Sequence, residues 1–288
     1  MKVAVTGSNG LLGQHLVREL IKKGIAVYAI SKGPDRNPVG GQTGYYYFNL
    51  DIRDGVQVKE AIEKIQPDIL VHAAAMTQVD ECELNKPDCY NSNVTATRFL
   101  IDAIKPFGTK IIFLSTDFVF DGKTGPYTEE DIPSPVNYYG STKVQAEKAV
   151  QESGLPYAIV RTILVYGSTI PGTRANILTW LTENLENGQT IKVVADQIRN
   201  PTHVEDLAKG IILIIEKQKE GIYHIGGSQT LSVYDMAIKL AEKNNYDKSL
   251  IQKVDASVFS QPAERPLVTG LDISKAKREL GYEVKFEL

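Results

Sequence analysis

The residues most suited to chemistry in this sequence are Tyr139 and Lys143, which lie four positions apart. If the chain is helical from Tyr138 onward, residues at this spacing share one face of the helix. A phenol normally titrates near pH ~10, and a neighbouring ammonium favours the phenolate and lowers that pKa. The pair therefore suits proton transfer at a carbonyl or carbinol. An amphipathic helix with a snorkelling lysine would show the same spacing, so other parts of the chain must decide between the two.

Three glycines near the N-terminus, Gly7, Gly10 and Gly13, fall between a predicted strand and a predicted helix. A dinucleotide pyrophosphate at this position would meet the free N–H groups and the positive end of the helix. The spacing differs from the commoner G-x-G-x-x-G fingerprint. Glycines are also common in turns, so the triad alone is a weak indication. Its place after the first strand of an alternating chain nevertheless predicts a nucleotide-binding loop.

The end of the second predicted strand bears on the choice of nucleotide. An NAD-selective site places an acidic side chain there to accept from the ribose 2′-hydroxyl. This chain has Ser31 and Lys32 instead, which favours the 2′-phosphate of NADP(H). A solvated loop lysine is the alternative, and the nearby Asp35 keeps NAD(H) open as a second cofactor.

Strand and helix patterns alternate from the start, which predicts a Rossmann-like, doubly wound parallel sheet covered by helices. Strands are expected at 2–6, 25–30, 45–48, 68–72, 110–114, 157–161, 190–194 and 221–225. Helices are expected from the glycine loop to about 23, and at 56–65, 89–107, 138–151, 175–186, 203–216, 232–243 and 274–280. The predicted organisation is a nucleotide-binding domain over 1–167 with a returning segment at about 190–225. Residues 168–288 are then mainly a smaller α/β substrate lobe.

Composition is that of an ordinary globular protein, with 288 residues of which 42% are hydrophobic. A net charge of -3 gives no reason to propose nucleic acid or an anionic membrane as a partner. The strand pattern starts at Lys2, which leaves no room for a signal peptide, and the two cysteines read as reduced thiols. These features predict a cytoplasmic protein. Histidines and carboxylates show no metal-ligand spacing, so no metal is expected.

Several ordered blocks resemble the extended short-chain dehydrogenases/reductases. They are the Gly7–Gly13 loop, Asp51, Ala73-Ala74-Ala75, Asn93, Thr116 and Tyr139-x-x-x-Lys143. Within this superfamily, further blocks are similar to the dTDP-4-dehydrorhamnose reductases. They are His72–Asp80, Ser115–Gly122, Asp196–Thr202, Gly221–Gly227 and Arg265–Asp272. The resemblance therefore covers nearly the whole chain.

The resemblance implies roles for particular residues. Thr116 would hold the substrate carbonyl oxygen and Tyr139 would donate a proton to it. Lys143 would bind the nicotinamide ribose and depress the tyrosine pKa. The implied cofactor contacts are Gly7, Asn9, Gly10, Leu11, Leu12, Gly13, Ser31, Lys32, Asp51, Ile52, Ala73, Ala74 and Ala75, together with Tyr139 and Lys143. Asp117 is either a ligand of a sugar hydroxyl or a loop cap, and Arg199 is either a diphosphate donor or a surface charge.

Other positions narrow the implied reaction. Dehydratases of the superfamily carry a Glu where this chain has Phe118, so dehydration is not expected. The resemblance implies NADPH-dependent reduction of the 4-keto group of a 6-deoxy sugar nucleotide, with dTDP-4-dehydrorhamnose first among substrates. Ile163-Leu164 stands where rhamnose-forming reductases usually show a tryptophan, and Ala175-Asn176-Ile177 replaces their Asn-Phe-Val, which leaves other keto sugars open.

A non-catalytic alternative also remains, because the regulatory subunit of methionine adenosyltransferase looks like the same family. Such a protein would use its nucleotide site to support a partner. Homodimerisation is common in the reductases.

Overall fold

The computed structural model describes residues 1–168 and 176–288. The strands are β1 (Lys2–Thr6), β2 (Ala26–Ser31), β3 (Tyr45–Asn49), β4 (Ile69–His72), β5 (Lys110–Thr116), β6 (Tyr157–Thr162), β7 (Val165–Tyr166), β8 (Ile191–Val194), β9 (Ile198–Arg199), β10 (Thr202–His203), β11 (Gly221–Ile225), β12 (Leu231–Ser232) and β13 (Ile251–Val254). The helices are α1 (Leu11–Lys22), α2 (Gly55–Ile65), α3 (Val79–Leu84), α4 (Lys86–Tyr90), α5 (Ala96–Ile104), α6 (Tyr138–Gln151), α7 (Ile177–Glu186), α8 (Val204–Glu216), α9 (Val233–Asn244) and α10 (Ser274–Leu280).

A seven-stranded sheet forms the centre of the molecule, in the order β11-β6-β5-β4-β1-β2-β3. Its neighbouring strands all pair in parallel. The chain builds outward from β1 through β2 and β3, then returns to the other side of β1 with β4. In such sheets ligands bind at the carboxyl ends of the strands near this reversal. The predicted Rossmann-like, doubly wound fold class is confirmed.

Alternate residues of each strand point to opposite faces of the sheet, and helices cover the apolar side chains on both faces. In β1, Val3 and Val5 join the core on the face of α1 and α8, whereas Ala4 joins the core on the face of α2, α5 and α6. Strands buried on both faces read as continuous apolar runs, which explains their clear signal in the sequence. Within the described ranges, no helix is long and apolar enough to cross a membrane.

A smaller apolar cluster lies in the C-terminal part of the chain. There β8 and β13 pair in parallel, and α7 and α9 pack beside them around residues such as Leu181, Val193 and Ala241. By contrast, β11 joins the central sheet, and α10 packs against β11 and α8. The division at residues 167 and 168 stays a prediction. The predicted start of α7, Ala175, lies outside the described residues.

The boundaries of the predicted elements differ from the structure mainly in one place, but the sequence did not predict helix α3 or the strands β7, β9, β10, β12 and β13. The helix expected at 89–107 is divided into α4, a π-helical turn at Asn91–Thr95, and α5. A π turn inserts an extra residue into the helix and reorients the side chains around it. Strand β5 continues two residues further than expected, to Thr116, whereas α6 has the predicted bounds.

A buried ion pair fastens α6 to the sheet. Arg161 of β6 donates to Glu147 of α6 from Nε at 3.1 Å and from Nη2 at 2.7 Å, and Ser115 of β5 also donates to this carboxylate. The Arg161 and Glu147 side chains are 2% and 4% exposed. Such a pair is a poor source of net stability, but losing one partner leaves a buried charge without compensation. It therefore fixes how α6 sits on β5 and β6.

We expect Arg161→Met to lower the free energy of unfolding by about 3–5 kcal/mol, because Glu147 would then be a buried, unpaired carboxylate. The double variant Glu147→Leu/Arg161→Met should lie closer to the wild type, since it removes both charges. Urea denaturation measures the difference. Lys148→Ala is the control, because Lys148 belongs to an exposed pair with Glu152. An Arg161→Met loss as small as that of Lys148→Ala would contradict the expectation.

Candidate active site

The helix α6 presents one buried row of side chains to the sheet. Asn137 caps its N-terminus by accepting from the Gly140 N–H at 2.9 Å. Tyr139, Lys143 and Glu147 follow at intervals of four residues, so they lie on one face, and each is at most 8% exposed. The helix face predicted from the sequence is therefore present, and the ion pair at Glu147 holds its far end.

The phenol of Tyr139 meets the hydroxyl of Thr116, the last residue of β5. Desolvation by burial raises the tyrosine pKa, and the neighbouring Thr116 hydroxyl lowers it to a smaller extent. The net direction is upward, so the predicted lowering of this pKa by Lys143 is wrong for this structure. Burial disfavours the phenolate. In this arrangement Tyr139 is a protonated phenol, which is the form that can donate.

Lys143 points into the protein beneath the tyrosine. Its Nζ donates to the Leu114 carbonyl at 2.6 Å and lies 4.1 Å from the centre of the Phe113 ring. Burial lowers the pKa of Lys143 to about 7, although the Glu147 carboxylate acts in the opposite direction. The structure thus brings Lys143 to the end of β5, where its side chain gains or loses a proton near neutral pH.

The carboxylate of Asp117 is buried next to Thr116. The Thr116 hydroxyl donates to Asp117 Oδ1 at 3.1 Å, and the Arg199 Nε lies 3.4 Å from Oδ2. Burial raises the pKa of Asp117, and the Arg199 charge counteracts this. Asp117 is only 2% exposed, so its side chain is enclosed by other protein groups.

The guanidinium of Arg199 is also turned inward, with 4% exposure. Its Nη1 donates to the carbonyls of Ile198 and Leu267, and its Nη2 donates to that of Pro266 at 2.6 Å. These donors are occupied by the chain itself. The structure therefore corrects both readings offered by the sequence, because Arg199 is neither a surface charge nor presented as a fork to a diphosphate.

The glycine loop has the shape that a pyrophosphate site needs. Gly7 has φ +70, and a Cβ there would meet the Ala74 backbone nitrogen at 2.8 Å. A Cβ on Gly13 would come within 2.2 Å of the Gly7 carbonyl oxygen. The first N–H groups of α1 have no side-chain cap, and the buried Ser8 hydroxyl has no hydrogen-bond partner. Close backbone packing and donors at a helix N-terminus fit a dinucleotide.

Two of the residues predicted on the adenosine side, Lys32 and Asp51, form a charge pair. Lys32 follows the last residue of β2, Ser31, and its Nζ lies 3.3 Å from the Asp51 carboxylate. Arg53 donates to the same carboxylate at 2.6 Å, and this bond is the main reason why the Asp51 pKa lies well below its usual range. Lys32 is 72% exposed, so its amine is accessible from solvent. Ile52 lies in the same turn and is partly buried.

The side chain of Asn9 does not point freely into the glycine loop. Its amide nitrogen donates to the Pro34 carbonyl at 2.9 Å, and its amide oxygen accepts from the Arg36 backbone N–H at 3.0 Å. Tyr47 supports the same segment by donating to the Gly33 carbonyl at 2.6 Å. The Gly/Pro-rich loop after β2 is therefore tied to the glycine loop. Leu11 and Leu12 open α1 directly behind Asn9 and Gly10.

The alanine segment Ala73-Ala74-Ala75 leaves the end of β4 beside the glycine loop and is supported from below. His72 bridges the hydroxyls of Thr6 and Thr97 at 2.7 Å and 3.0 Å, and the Ala74 N–H donates to Thr6 Oγ1. Burial lowers the pKa of His72 to about 3, so the ring is neutral at physiological pH. His72 is therefore a structural support for this segment.

Asn93 connects the alanine segment to α6, and the π turn places it there. Its amide oxygen accepts from the Met76 N–H at 2.8 Å, and its nitrogen donates to the Met76 carbonyl and to Thr142 Oγ1 at 3.1 Å. In the sequence, Asn93 was indicated only by the family resemblance. Its contacts depend on the π turn, which hydrophobic periodicity does not reveal.

Two residues that shape the site, Glu147 and Thr269, were not predicted from the sequence. Glu147 lies four residues beyond Lys143, and a search of that helix face for charges would have found it. Thr269 donates to Asp117 across 152 positions of the sequence. Only the tertiary structure shows that contact.

Comparisons with known proteins show one family match and two kinds of relative. The model of a family described as "RmlD substrate binding domain" matches residues 1–286. A dTDP-4-dehydrorhamnose reductase of Aggregatibacter actinomycetemcomitans is 30% identical, over 98% of this chain and 94% of that protein. The methionine adenosyltransferase 2 subunit beta of Rattus norvegicus is 32% identical, over 95% of this chain and 81% of that protein.

Among solved structures, a dTDP-4-dehydrorhamnose reductase from Bacillus anthracis in complex with NADP superposes with a TM-score of 0.86. It is 30% identical, and the match covers 98% of this chain and 94% of that one. The likeness therefore extends through both the central sheet and the C-terminal part of the chain.

The burial of Lys143 predicts a pH-dependent stability. Its folded pKa of about 7 lies below the ordinary lysine value, so between these two pH values the unfolded chain binds the additional proton. The free energy of unfolding should therefore rise from pH 7 to pH 9, by about 2 kcal/mol from this group. Lys143→Met should lack that part of the rise in urea denaturation. Lys148→Met, at an exposed lysine of the same helix, should keep it, and an unchanged rise in Lys143→Met would contradict the assignment.

Proposed function

The chain belongs to the RmlD substrate binding domain family of extended short-chain dehydrogenases/reductases, and on this premise we propose that it is an NADPH-dependent reductase of keto sugar nucleotides. The observation that carries the proposal is the contact between a protonated Tyr139 and Thr116 at the carboxyl end of β5. In a parallel sheet this end faces the ligand-binding crevice. The coarser assignment, a sugar-nucleotide oxidoreductase, also agrees with the proteins to which the chain is similar.

We assign the chemical step to three side chains. Thr116 holds the carbonyl oxygen of the substrate, and Tyr139 donates its proton to that oxygen as the alkoxide develops. Lys143 lies one turn behind the tyrosine, and its ammonium stabilises the phenolate that remains. When bound, NADPH supplies the hydride. Orientation and acid catalysis are the contributions of this chain.

The cofactor would lie over the switch point between β1 and β4. Gly7, Gly10 and Gly13 allow close approach of the pyrophosphate, and the N-terminus of α1 faces its charge. Asn9, Leu11 and Leu12 frame the loop, and Ala73-Ala74-Ala75 forms the opposite wall. Ser31, Lys32, Asp51 and Ile52 lie on the adenosine side. The accessible Lys32 favours the 2′-phosphate of NADP(H) over NAD(H). The nearby acidic residue Asp35 is the reason why NAD(H) stays the second candidate cofactor.

The substrate that we favour is dTDP-4-dehydrorhamnose, reduced to dTDP-rhamnose. Two relatives named for this activity support it, one by sequence and one by structure. Phe118 occupies the position at which dehydratases carry a proton-abstracting Glu, and its ring packs edge-on against Tyr139 at 5.9 Å. An apolar ring at this place leaves plain carbonyl reduction as the chemistry. Ile163 is 1% exposed, so it does not offer the surface for a sugar that a tryptophan there would.

A second candidate follows from the relative with 32% identity, methionine adenosyltransferase 2 subunit beta. In this reading the chain is a non-catalytic, NADP-binding regulatory subunit. Retention of Thr116, Tyr139 and Lys143 favours the enzyme. Tight NADPH binding without reduction of any keto sugar nucleotide would favour the regulatory subunit.

The decisive measurement is NADPH oxidation with dTDP-4-dehydrorhamnose. We expect Tyr139→Phe to lower kcat by at least about 100-fold, because a positioned general acid contributes on that scale. Tyr138→Phe is the matched control, since it removes the adjacent phenol and should leave kcat unchanged. Equal turnover of the wild type and Tyr139→Phe would contradict the mechanism. Parallel assays with keto sugars on dTDP, GDP and UDP identify the nucleotide that is recognised.

Cofactor choice is tested by binding rather than by turnover. Lys32→Ala should weaken NADPH binding by roughly fivefold, as expected for one solvent-exposed ion pair, and should leave NADH binding unchanged. Fluorescence titration of both nucleotides measures the two dissociation constants. Lys22→Ala, at an exposed lysine at the far end of α1, serves as the control. An equal effect of Lys32→Ala on both nucleotides would contradict recognition of the 2′-phosphate.

A further inference from the structure

The segment Ala263–Leu271, here called the C-terminal strap, is fastened to elements that carry the site. Its Arg265 donates to both oxygens of Asp80, with the Nη2 bond at 2.6 Å. Its Glu264 carbonyl accepts from the amide of Asn137 at 2.8 Å. Asp80 lies at the start of α3, and Asn137 is the N-cap of the helix that carries the tyrosine. The strap therefore bonds to both of these elements.

Arg199 links the backbone of the strap to Asp117. Its Nη1 and Nη2 donate to the carbonyls of Leu267 and Pro266 at 2.8 Å and 2.6 Å, while its Nε faces the carboxylate at 3.4 Å. A planar guanidinium holds several acceptors in fixed directions. The position of the Asp117 carboxylate thus depends on the position of the strap.

Thr269 completes the enclosure of Asp117. Its hydroxyl donates to Oδ2, whereas Oδ1 accepts from Thr116 at 3.1 Å. Thr269 is fully buried, and each of these side chains is at most 8% exposed. One carboxylate oxygen therefore accepts from the strap, and the other accepts from Thr116 in the site.

The bond to Asp117 also sets the direction of the Thr116 hydroxyl. A hydroxyl has one proton, and when that proton is given to the carboxylate the oxygen is left to accept from a neighbouring donor. The donor to that oxygen is the Phe118 backbone N–H at 3.2 Å, and the Tyr139 phenol lies beside the same hydroxyl. To hold a carbonyl oxygen, which only accepts, the Thr116 hydroxyl must turn its proton from Asp117 Oδ1 toward the substrate. A shift of the carboxylate would change the position from which that proton turns.

We propose that Thr269 and Arg199 are positioning residues, which hold the Asp117 carboxylate and through it orient the Thr116 hydroxyl for the reaction at Tyr139. The role rests on the proposed reductase function, because it concerns the same site. The strap thereby makes the catalytic geometry depend on the docking of a segment about 150 positions away in sequence. A purely structural hydrogen bond would affect stability alone.

The test compares two buried threonines. Thr269→Val removes the hydroxyl that faces Asp117, and Thr269→Ser retains one. Thr109→Val is the matched control, because Thr109 is 1% exposed and its hydroxyl donates to the Pro67 carbonyl at 2.6 Å, ahead of β5 and away from the site. We expect Thr269→Val to lower kcat by about tenfold, the scale of one hydrogen bond to a charged group, with little change in KM. Thr269→Ser should restore kcat, and Thr109→Val should keep it.

A second readout needs no substrate. Burial places the folded pKa of Asp117 above its unfolded value, and the groups that counteract this are Arg199, Thr269 and Thr116, while Tyr139 faces the same carboxylate. Between the two pKa values the folded chain binds the extra proton, so stability from this group falls as pH rises. Removal of the Thr269 hydroxyl raises the folded pKa further. The loss of stability in Thr269→Val should therefore be larger at pH 8 than at pH 5, whereas that of Thr109→Val should be equal at both.

The outcomes separate the inference from the proposed function. A wild type that reduces no keto sugar nucleotide sinks the proposed function, and the stability comparison still tests how Asp117 is held. A pH-independent loss in Thr269→Val, or a wild-type kcat in that variant, overturns the positioning role. Thr269→Ala, which introduces no methyl group beside the carboxylate, replaces Thr269→Val under the same criteria if the valine variant does not fold.

Discussion

The buried pair of Glu147 and Arg161 is the constraint on which the candidate site depends. Two charges in the interior lose their hydration, and the bidentate geometry with the added Ser115 hydroxyl compensates only when all three groups are aligned. That requirement fixes helix α6 against two strands. It also determines where Tyr139 lies relative to the end of β5, because Glu147 and Tyr139 belong to the same helix.

The remaining parts of the site are positioned by the same means, with side chains that join separate elements. Asn93 connects the alanine segment to α6, His72 joins β4 to its neighbours, and Asp117 connects the end of β5 to the strap. Each of these groups is buried and its hydrogen-bond partners are inside the protein. Burial of polar groups is expensive unless they are paired, so these networks are either complete or strongly destabilising. A site built in this way has little freedom to drift.

Membership of the family limits the function without selecting the substrate. The chain is similar both to a dTDP-4-dehydrorhamnose reductase and to a methionine adenosyltransferase 2 subunit beta, over nearly its whole length. A shared fold hosts different functions, so the choice rests on the chemistry of particular groups. The protonated phenol of Tyr139 beside Thr116, with Lys143 one turn behind, is the basis on which we propose a proton donor. The apolar Phe118 supplies no base that would divert the chemistry to elimination.

The sequence by itself determined the parallel sheet, most element bounds, the glycine loop and the shared face of Tyr139 and Lys143. These follow from local rules: apolar periodicity, the conformational freedom of glycine and the pitch of a helix. Tertiary structure alone decided how that pair is tuned. Burial raises the tyrosine pKa and lowers that of the lysine to about 7, which reverses the expected direction for the tyrosine. It also placed Arg199, for which the sequence left a diphosphate donor and a surface charge open, inside the protein with its Nε 3.4 Å from the Asp117 carboxylate. Desolvation and long-range pairing depend on which residues the fold brings together, and no spacing along the chain contains that information.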